Sequence, residues 1–373
     1  MENFKALAVK SDFIKGLKDL GIINPTDIQK QVIPLLLAGN TDLVGQAQTG
    51  TGKTAAFGLP LLHKIDPKKK YVQGLILCPT RELGQQVAKQ LFRYTKYSDK
   101  IFTESVYGGE KIDRQIANLK RTTHIVVATP GRLIDLVNRK AVDLSKVKTV
   151  ILDEADEMLS MGFKKELDEI LGFLPEAQSK WLFSATMPQG IKQIVNEHMS
   201  NTAHRITVSG SNVVNAKIEH KFVHCEDAEK FHILLQFLNS VKGQRGIVFC
   251  RTRNNAKKVA AQLIAKNVAA DAIHGDLLQK ERDKVMRAFK NKNLSIIVAT
   301  DIAARGIDVA DLTFVVHFQL PDQNEYYTHR SGRTARAGKE GVSLVLANGY
   351  DVRTIREYER NLKISFSKIK SVK

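Results

Sequence analysis

Cysteine is nearly absent from this chain of 373 residues: there are three, Cys78, Cys225 and Cys250. An odd, sparse set without metal-ligand spacing excludes a disulfide framework and a zinc module, and it points to a reducing compartment. Cys78 and Cys250 each close an apolar run, Leu75-Ile76-Leu77 and Ile247-Val248-Phe249, so they read as small buried residues of strands. Long apolar runs are lacking as well. The opening residues, Met1-Glu2-Asn3-Phe4-Lys5, contain no apolar signal core and no stretch approaches a membrane span, so the expected location is cytoplasmic. Acidic residues are in deficit, with 39 Asp and Glu facing 57 Lys and Arg for a formal net charge of +18. Residues 1–207 hold 29 basic and 22 acidic residues, and residues 208–373 hold 28 and 17, so the excess is not a detachable basic tail. Such a field favours a polyanion over a small neutral substrate.

The length suits two domains of average size, and a hydrophobic content of 43% is ample for two cores. Short β-rich runs alternate with amphipathic helical patterns. Strands are expected at Asp42–Val44, Gly74–Cys78, Ile101–Val106, His124–Ala128, Thr149–Leu152, Lys180–Phe183 and His204–Thr207. The alternation lapses in a small, polar stretch and restarts with Ile218–Val223, Gly246–Cys250, Ala270–Ile273, Ser295–Ala299, Phe314–Phe318 and Gly341–Leu346. This predicts an α/β protein with two domains, residues 1–208 and 217–373, joined by a linker over 209–216. Each is expected to be a mainly parallel sheet with helices on both faces. The basic end, Lys368 to Lys373, reads as disordered, and no accessory domain is expected.

Two motifs carry the chemistry. Residues 47–54 read Ala-Gln-Thr-Gly-Thr-Gly-Lys-Thr, a phosphate loop of the G-x-x-x-x-G-K-S/T kind with Ala47 at its first glycine. Backbone N–H groups of Gln48, Thr49, Gly50, Thr51 and Gly52 would cradle phosphates at a helix N-terminus. Lys53 would reach the outer phosphates and the Thr54 hydroxyl would ligate Mg²⁺. About a hundred residues on, Asp153-Glu154-Ala155-Asp156 follows the apolar run Val150-Ile151-Leu152. One carboxylate, Asp153, suits the metal while Glu154 suits an attacking water. Either motif alone is ambiguous, since carboxylates also favour an ordinary first helical turn. In this order they predict a nucleoside-triphosphate hydrolase. The second half has no phosphate loop, but it has a dense basic cluster from His329 to Gly338. Arg333 and Arg336, one turn apart, would project together from a helix start toward a γ-phosphate.

At these residues the chain resembles the DEAD-box ATP-dependent RNA helicases of the bacterial type, over nearly its whole length. The resemblance implies two RecA-like domains that close on ATP and RNA together, with ATP hydrolysis driving local unwinding of short duplexes. Gly21 to Gln29 is similar to the family's adenine-recognising motif, with Ile22 in place of the usual aromatic. By that likeness Gln29 pairs with the adenine edge and Phe4 stacks on the base, although an apolar plug is the alternative for Phe4. Gly306 and Asp308 would meet the ribose, and Ser184, Thr186 and His329 would couple ATP state to closure. Lys53, Glu154, Arg333 and Arg336 become the catalytic group. The implied RNA path uses Pro79, Thr80, Arg81, Gly108, Gly109, Thr129, Pro130, Gly131 and Arg132 in the first domain. In the second it uses Arg251, Gly275, Asp276, Gln279 and Thr300. Such groups contact phosphates and 2′-hydroxyls, so binding should be sequence-independent and salt-sensitive. Ser331 and Ala335 stand where the family commonly has isoleucine and glycine. ATP and Mg²⁺ are the implied cofactors. RNA is the implied partner of a monomer, in ribonucleoprotein or ribosome assembly or in mRNA turnover. Two rivals stay open at this stage: a DNA-translocating helicase, and a nucleotide-gated RNA clamp with little strand separation.

Overall fold

The computed structural model describes residues 3–48, 50–208, 217–304, 312–335 and 339–369. The chain divides into two compact units, Met1–Val208 and Ser209–Lys373. The expected linker, 209–216, lies outside the described residues.

In the first unit the strands are β1 Leu43–Gln46, β2 Gly74–Leu77, β3 Thr103–Val106, β4 Ile125–Ala128, β5 Thr149–Leu152, β6 Ser179–Ser184 and β7 His204–Thr207. They form one sheet in the order β3-β4-β2-β5-β6-β1-β7, every described pairing parallel. A parallel sheet is covered on both faces, so its strands read as near-continuous apolar runs. The pleat then deals successive residues to opposite cores. Ile76, Val127, Ile151 and Trp181 join one cluster, while their chain neighbours Leu77, Val126, Val150 and Leu182 join the other.

The second unit repeats the plan. Its strands are β8 Ile218–His224, β9 Gly246–Phe249, β10 Ala270–Ile273, β11 Ile296–Ala299, β12 Phe314–His317, β13 Gly341–Ala347 and β14 Phe366–Lys368. The order is β10-β11-β9-β12-β13-β8-β14, again with parallel pairings. Ile247 and Phe249 face one core, Val248 the other. β14 corrects the expectation that the chain is disordered from Lys368 onward. Phe366, Ser367 and Lys368 pair with His220, Lys221 and Phe222, and Phe366 closes a third cluster with Tyr327, Ile355 and Tyr358. Residues 370–373 lie outside the described residues. Among the described residues no helix is long and apolar enough to cross a membrane.

Parallel strands align their carboxyl ends along one sheet edge, and that edge is where open α/β sheets place ligands. Strand order alone therefore sorts the motifs of the first unit. The contiguous strands β5, β6 and β1 lead into residues 153–156, 184–186 and 47–54. The contiguous strands β3, β4 and β2 lead into Gly108-Gly109, Thr129–Arg132 and Pro79–Arg81. In the second unit β10, β11 and β9 likewise lead into Gly275-Asp276, Thr300 and Arg251.

Candidate functional site

The loop after β1 turns sharply because Gly50 and Gly52 take φ of +81° and +91°, backbone that L side chains rarely adopt. Gly52 caps the helix Lys53–Lys64, so Lys53 and Thr54 are its first two residues. A Cβ on Gly52 would also lie 2.3 Å from Gln29 Nε2, so a side chain is excluded twice over. Lys53 Nζ, buried, donates to the Ala47 carbonyl at 2.9 Å and so folds back across the mouth of the loop. Thr51 Oγ1 donates to the Gln48 carbonyl at 2.7 Å. Thr49 lies outside the described residues.

The acidic quartet starts where β5 ends. Asp153 is buried, and its carboxylate accepts the Glu154 N–H at 3.0 Å. Burial pushes its pKa up to about 7; Lys53 opposes that rise and the neighbouring Glu154 adds to it. A buried carboxylate this reluctant to stay charged, facing one ammonium, is an oxygen donor short of positive charge. Carboxylate oxygens and hydroxyls such as that of Thr54 are the hard donors that could hold a Mg²⁺ ion. Glu154 has φ of +50° and caps the helix Ala155–Ser160. A non-glycine residue held there costs on the order of 1 kcal/mol or more, and such strain concentrates at functional sites.

The sequence reading left Asp156 without a role. In the structure its Oδ2 accepts both the backbone N–H and the hydroxyl of Thr186 at 2.8 Å. Ser184 Oγ donates to the Thr186 carbonyl at 2.7 Å and accepts the Asp156 N–H at 3.3 Å. The Ala47 N–H donates to the Ser184 carbonyl at 3.0 Å. The acidic quartet, the turn after β6 and the phosphate loop are thus one hydrogen-bonded unit.

Gln29 is buried and already engaged. Its Oε1 accepts the Thr26 N–H at 2.9 Å and its Nε2 donates to the Gly52 carbonyl at 3.0 Å. One N–H and one lone-pair direction remain. Phe4 is a correction. Its ring is 1% exposed and lies in the core with Phe13, Leu17 and Ile28, so it offers no open face to a base. An aromatic that plugs a core and one that stacks on a ligand are the same letter, and here packing wins.

At the other end of the same sheet edge, Thr80 and Thr129 stand at the N-termini of the helices Arg81–Tyr94 and Pro130–Asn138. Pro130 occupies the first helical position, where its missing N–H costs nothing. Gly131 and Arg132 follow it in the first turn. Two helix N-termini side by side form a natural phosphate-binding edge. Arg132 is braced by the Glu110 carbonyl at 3.2 Å and by Gln115 Oε1 at 3.0 Å, and the Arg81 guanidinium lies 4.5 Å from the Tyr107 ring. Gly109 takes φ of +82° in the turn after β3. The bracing residues Tyr107 and Gln115 were missed by sequence reasoning.

In the second unit Arg251 Nε donates to the Leu320 carbonyl at 2.6 Å, and its Nη2 pairs with Asp322 at 2.8 Å. Asp276 pairs with Arg253 and, at 2.9 Å, with Lys257; the Lys257 bond is the main reason its pKa falls below the usual range. Gln279 opens the helix Gln279–Lys290 and donates to Asp283 at 2.8 Å. Gly275 lies in the turn before it, and Thr300 is buried past β11.

The basic cluster is a second correction. His329 sits in the last turn of the helix Asn324–Ser331, and Arg333 follows in the turn beyond it, not at a helix start. The helix stops because Gly332 weakens it while Thr334 Oγ1 is anchored to the Leu312 carbonyl at 2.6 Å. Arg330 is buried, bidentate to Asp301 at 2.5 and 2.6 Å, and fixes this helix from below; sequence reasoning missed the pair. Ser331 joins a buried network: its Oγ lies 2.9 Å from Ser343 Oγ, which lies 3.1 Å from His317 Nε2 and 3.2 Å from Tyr327 Oη. Ala335 takes φ of +56°. Gly306, Asp308 and Arg336 lie outside the described residues.

Residues 26–194 match the family described as DEAD/DEAH box helicase, and residues 229–338 match the helicase conserved C-terminal domain. The chain is 41% identical over 363 residues to the DEAD-box ATP-dependent RNA helicase CshA of Bacillus cereus, covering 97% of this chain and 69% of that protein. It is 42% identical to ATP-dependent RNA helicase CshA of Listeria monocytogenes, with the same coverage of 97% and 69%. Among solved structures it is similar to S. cerevisiae Dbp5 bound to RNA and ADP BeF3. That likeness has a TM-score of 0.91 and 28% identity over 99% of this chain and 96% of that one.

Proposed function

This chain belongs to the DEAD-box ATP-dependent RNA helicases, and on that premise we propose how its residues divide the work of coupling ATP hydrolysis to RNA binding and local strand separation. ATP is held by the loop 47–54, with Lys53 released from the Ala47 carbonyl onto the outer phosphates. Gln29 reads the adenine edge with its remaining N–H and lone pair. Thr54 and Asp153 would hold Mg²⁺, which would supply positive charge to the phosphates and favour the ionised form of Asp153. Glu154 orients water and accepts its proton during in-line attack. Arg333 and Arg336 supply positive charge to the γ-phosphate once RNA is engaged, and Gly306 and Asp308 meet the ribose. Ser184, Thr186 and His329 report the ATP state, with Asp156 as the hinge pin of that report.

RNA is held through its backbone by the loops after β2, β3 and β4 and, in the second unit, by Arg251, Gly275, Asp276, Gln279 and Thr300. The protein acts as a monomer in the cytoplasm, where its three free, buried cysteines stay reduced. Ribonucleoprotein or ribosome-assembly RNA is its setting.

The observation that carries this reading is the joining of phosphate loop, acidic quartet and Ser184–Thr186 turn by direct hydrogen bonds at one sheet edge. The test is ATP hydrolysis without nucleic acid, with single-stranded RNA and with DNA of the same sequence, using Lys53→Ala as the blank. Stimulation by RNA alone supports it. Equal stimulation by DNA would assign the protein to general nucleic-acid translocation instead.

A further inference from the structure

The same strands that present the RNA-facing loops have another end. At the amino edge of the first sheet, the segments before β2, β3, β4 and β5 are laced together by backbone hydrogen bonds. The Gln73 N–H donates to the His124 carbonyl at 2.8 Å, the His124 N–H to the Phe102 carbonyl at 2.9 Å, and the Lys148 N–H to the Gln73 carbonyl at 2.9 Å. His124 is the knot. Its Nδ1 accepts the Phe102 N–H at 2.9 Å, which leaves Nε2 to donate to the Lys69 carbonyl at 2.9 Å. The ring stacks on Phe102 with centroids 5.6 Å apart and planes 25° apart.

What this framework displays is basic and aromatic. Lys68, Lys69 and Lys70 are exposed in a row, followed by Tyr71, which is 38% exposed. Lys100 precedes Phe102, itself 48% exposed, and Lys120 and Arg121 precede His124. Lys146 and Lys148 lie before β5, where Lys146 pairs with Glu176 at 2.8 Å. Among the described residues no carboxylate stands within ion-pair distance of the other cations named here. Two of the nearby carboxylates are spent on turns: Asp66 accepts the Lys68 N–H and Asp143 the Ser145 N–H, both at 2.9 Å. An ordinary solvated lysine face has no reason to hold a phenylalanine ring rigid and half open beside it. Cations for phosphates and fixed rings for bases are the two parts of a single-strand platform.

We propose that this amino edge, centred on Phe102, Tyr71 and Lys68–Lys70, is a second RNA-binding surface that holds single-stranded RNA beyond the stretch engaged at the carboxyl edge. The proposal rests on RNA being the substrate. The two edges are separated only by strands of four residues, about 13 Å, and β3 lies at the border of the sheet. A strand leaving the loops after β3 and β4 can turn around that border and reach Phe102. Short RNA fills the carboxyl edge alone, whereas longer RNA fills both.

The test measures binding of fluorescent oligouridylates of roughly 10 and roughly 30 nucleotides, lengths below and above twice a typical single-strand site. Variants are Phe102→Ser and Lys68→Ser/Lys70→Ser, with melting temperature checked for each. Both should bind the longer RNA roughly tenfold more weakly and the shorter RNA as before. The double-lysine variant should also flatten the salt dependence for the longer RNA by about 1.4 in log–log slope. Arg132→Ala, at the carboxyl edge, should weaken both lengths, and its failure to do so would count against the first site and not the second. Unchanged binding of the longer RNA by both amino-edge variants would overturn the proposal and leave the surface to an acidic protein. Equal loss on both lengths would overturn it too, since the edge would then belong to the first site.

Discussion

Asp156 holds Thr186 by two hydrogen bonds from one carboxylate oxygen, both 2.8 Å long. This contact converts two separate loop ends, one after β5 and one after β6, into a single body. Asp156 is buried, so its carboxyl oxygens meet these donors rather than water.

Replacing Asp156 by Asn should cost about 1–3 kcal/mol in urea unfolding of the first unit, and Thr186→Val about 1 kcal/mol. The double variant should fall short of the sum by at least about 0.5 kcal/mol, because both changes break one contact. RNA-stimulated ATP hydrolysis should fall in both single variants. Simple additivity would show that the pair is not coupled.

Ala335 sits at φ of +56°, in backbone that costs an L residue roughly 1–2 kcal/mol. Ala335→Gly should therefore stabilise the second unit by about 0.5–1 kcal/mol, after allowing for the extra freedom glycine gives the unfolded chain. The midpoint of urea unfolding reads this. A loss of stability would mean that the Ala335 methyl group, buried in the third cluster, matters more than the strain.

The buried network around Ser343, which His220 joins with its Nδ1 2.6 Å from Tyr327 Oη, sets a pH limit. Burial lowers the pKa of His220 to about 4 and holds His317 well below its ordinary value. Both are therefore neutral when folded and take up protons near pH 6.5 only when unfolded. Their contribution to stability is whole above that pH and declines as the pH falls below it, by about 1.4 kcal/mol per unit for each group, the His220 share levelling off near pH 4 where the folded state also takes up its proton. Urea unfolding of the second unit between pH 7.5 and pH 4 should show this decline, and His220→Gln should reduce its slope. An unaltered slope would exclude His220 as its source.

Much of this arrangement was legible in the amino-acid sequence because parallel strands are buried on both faces. Runs such as Thr149–Leu152 and Ile296–Ala299 announce themselves without knowledge of their partners. Motif order then located the nucleotide chemistry. What escaped depends on contacts distant in sequence. β14 has three residues, two of them exposed, and exists only because β8 accepts it as an edge partner. Phe4 lies in a core that no local pattern reveals. The Thr26-x-x-Gln29 spacing is a helix-capping signature that the adenine reading of Gln29 passed over, and in the fold it occupies one half of the Gln29 amide. The place of Arg333 depends on Gly332 and on the anchoring of Thr334 to Leu312, which only the fold brings together.

We propose that Glu154, held at φ of +50° at the head of its helix beside Asp153, orients the attacking water. Single-turnover ATP hydrolysis by Glu154→Gln, with saturating RNA and with ATP affinity measured separately, tests it most directly. The expected result is near-normal ATP and RNA binding with hydrolysis slowed by about 10²–10⁴-fold. Hydrolysis at the unaltered rate would contradict it.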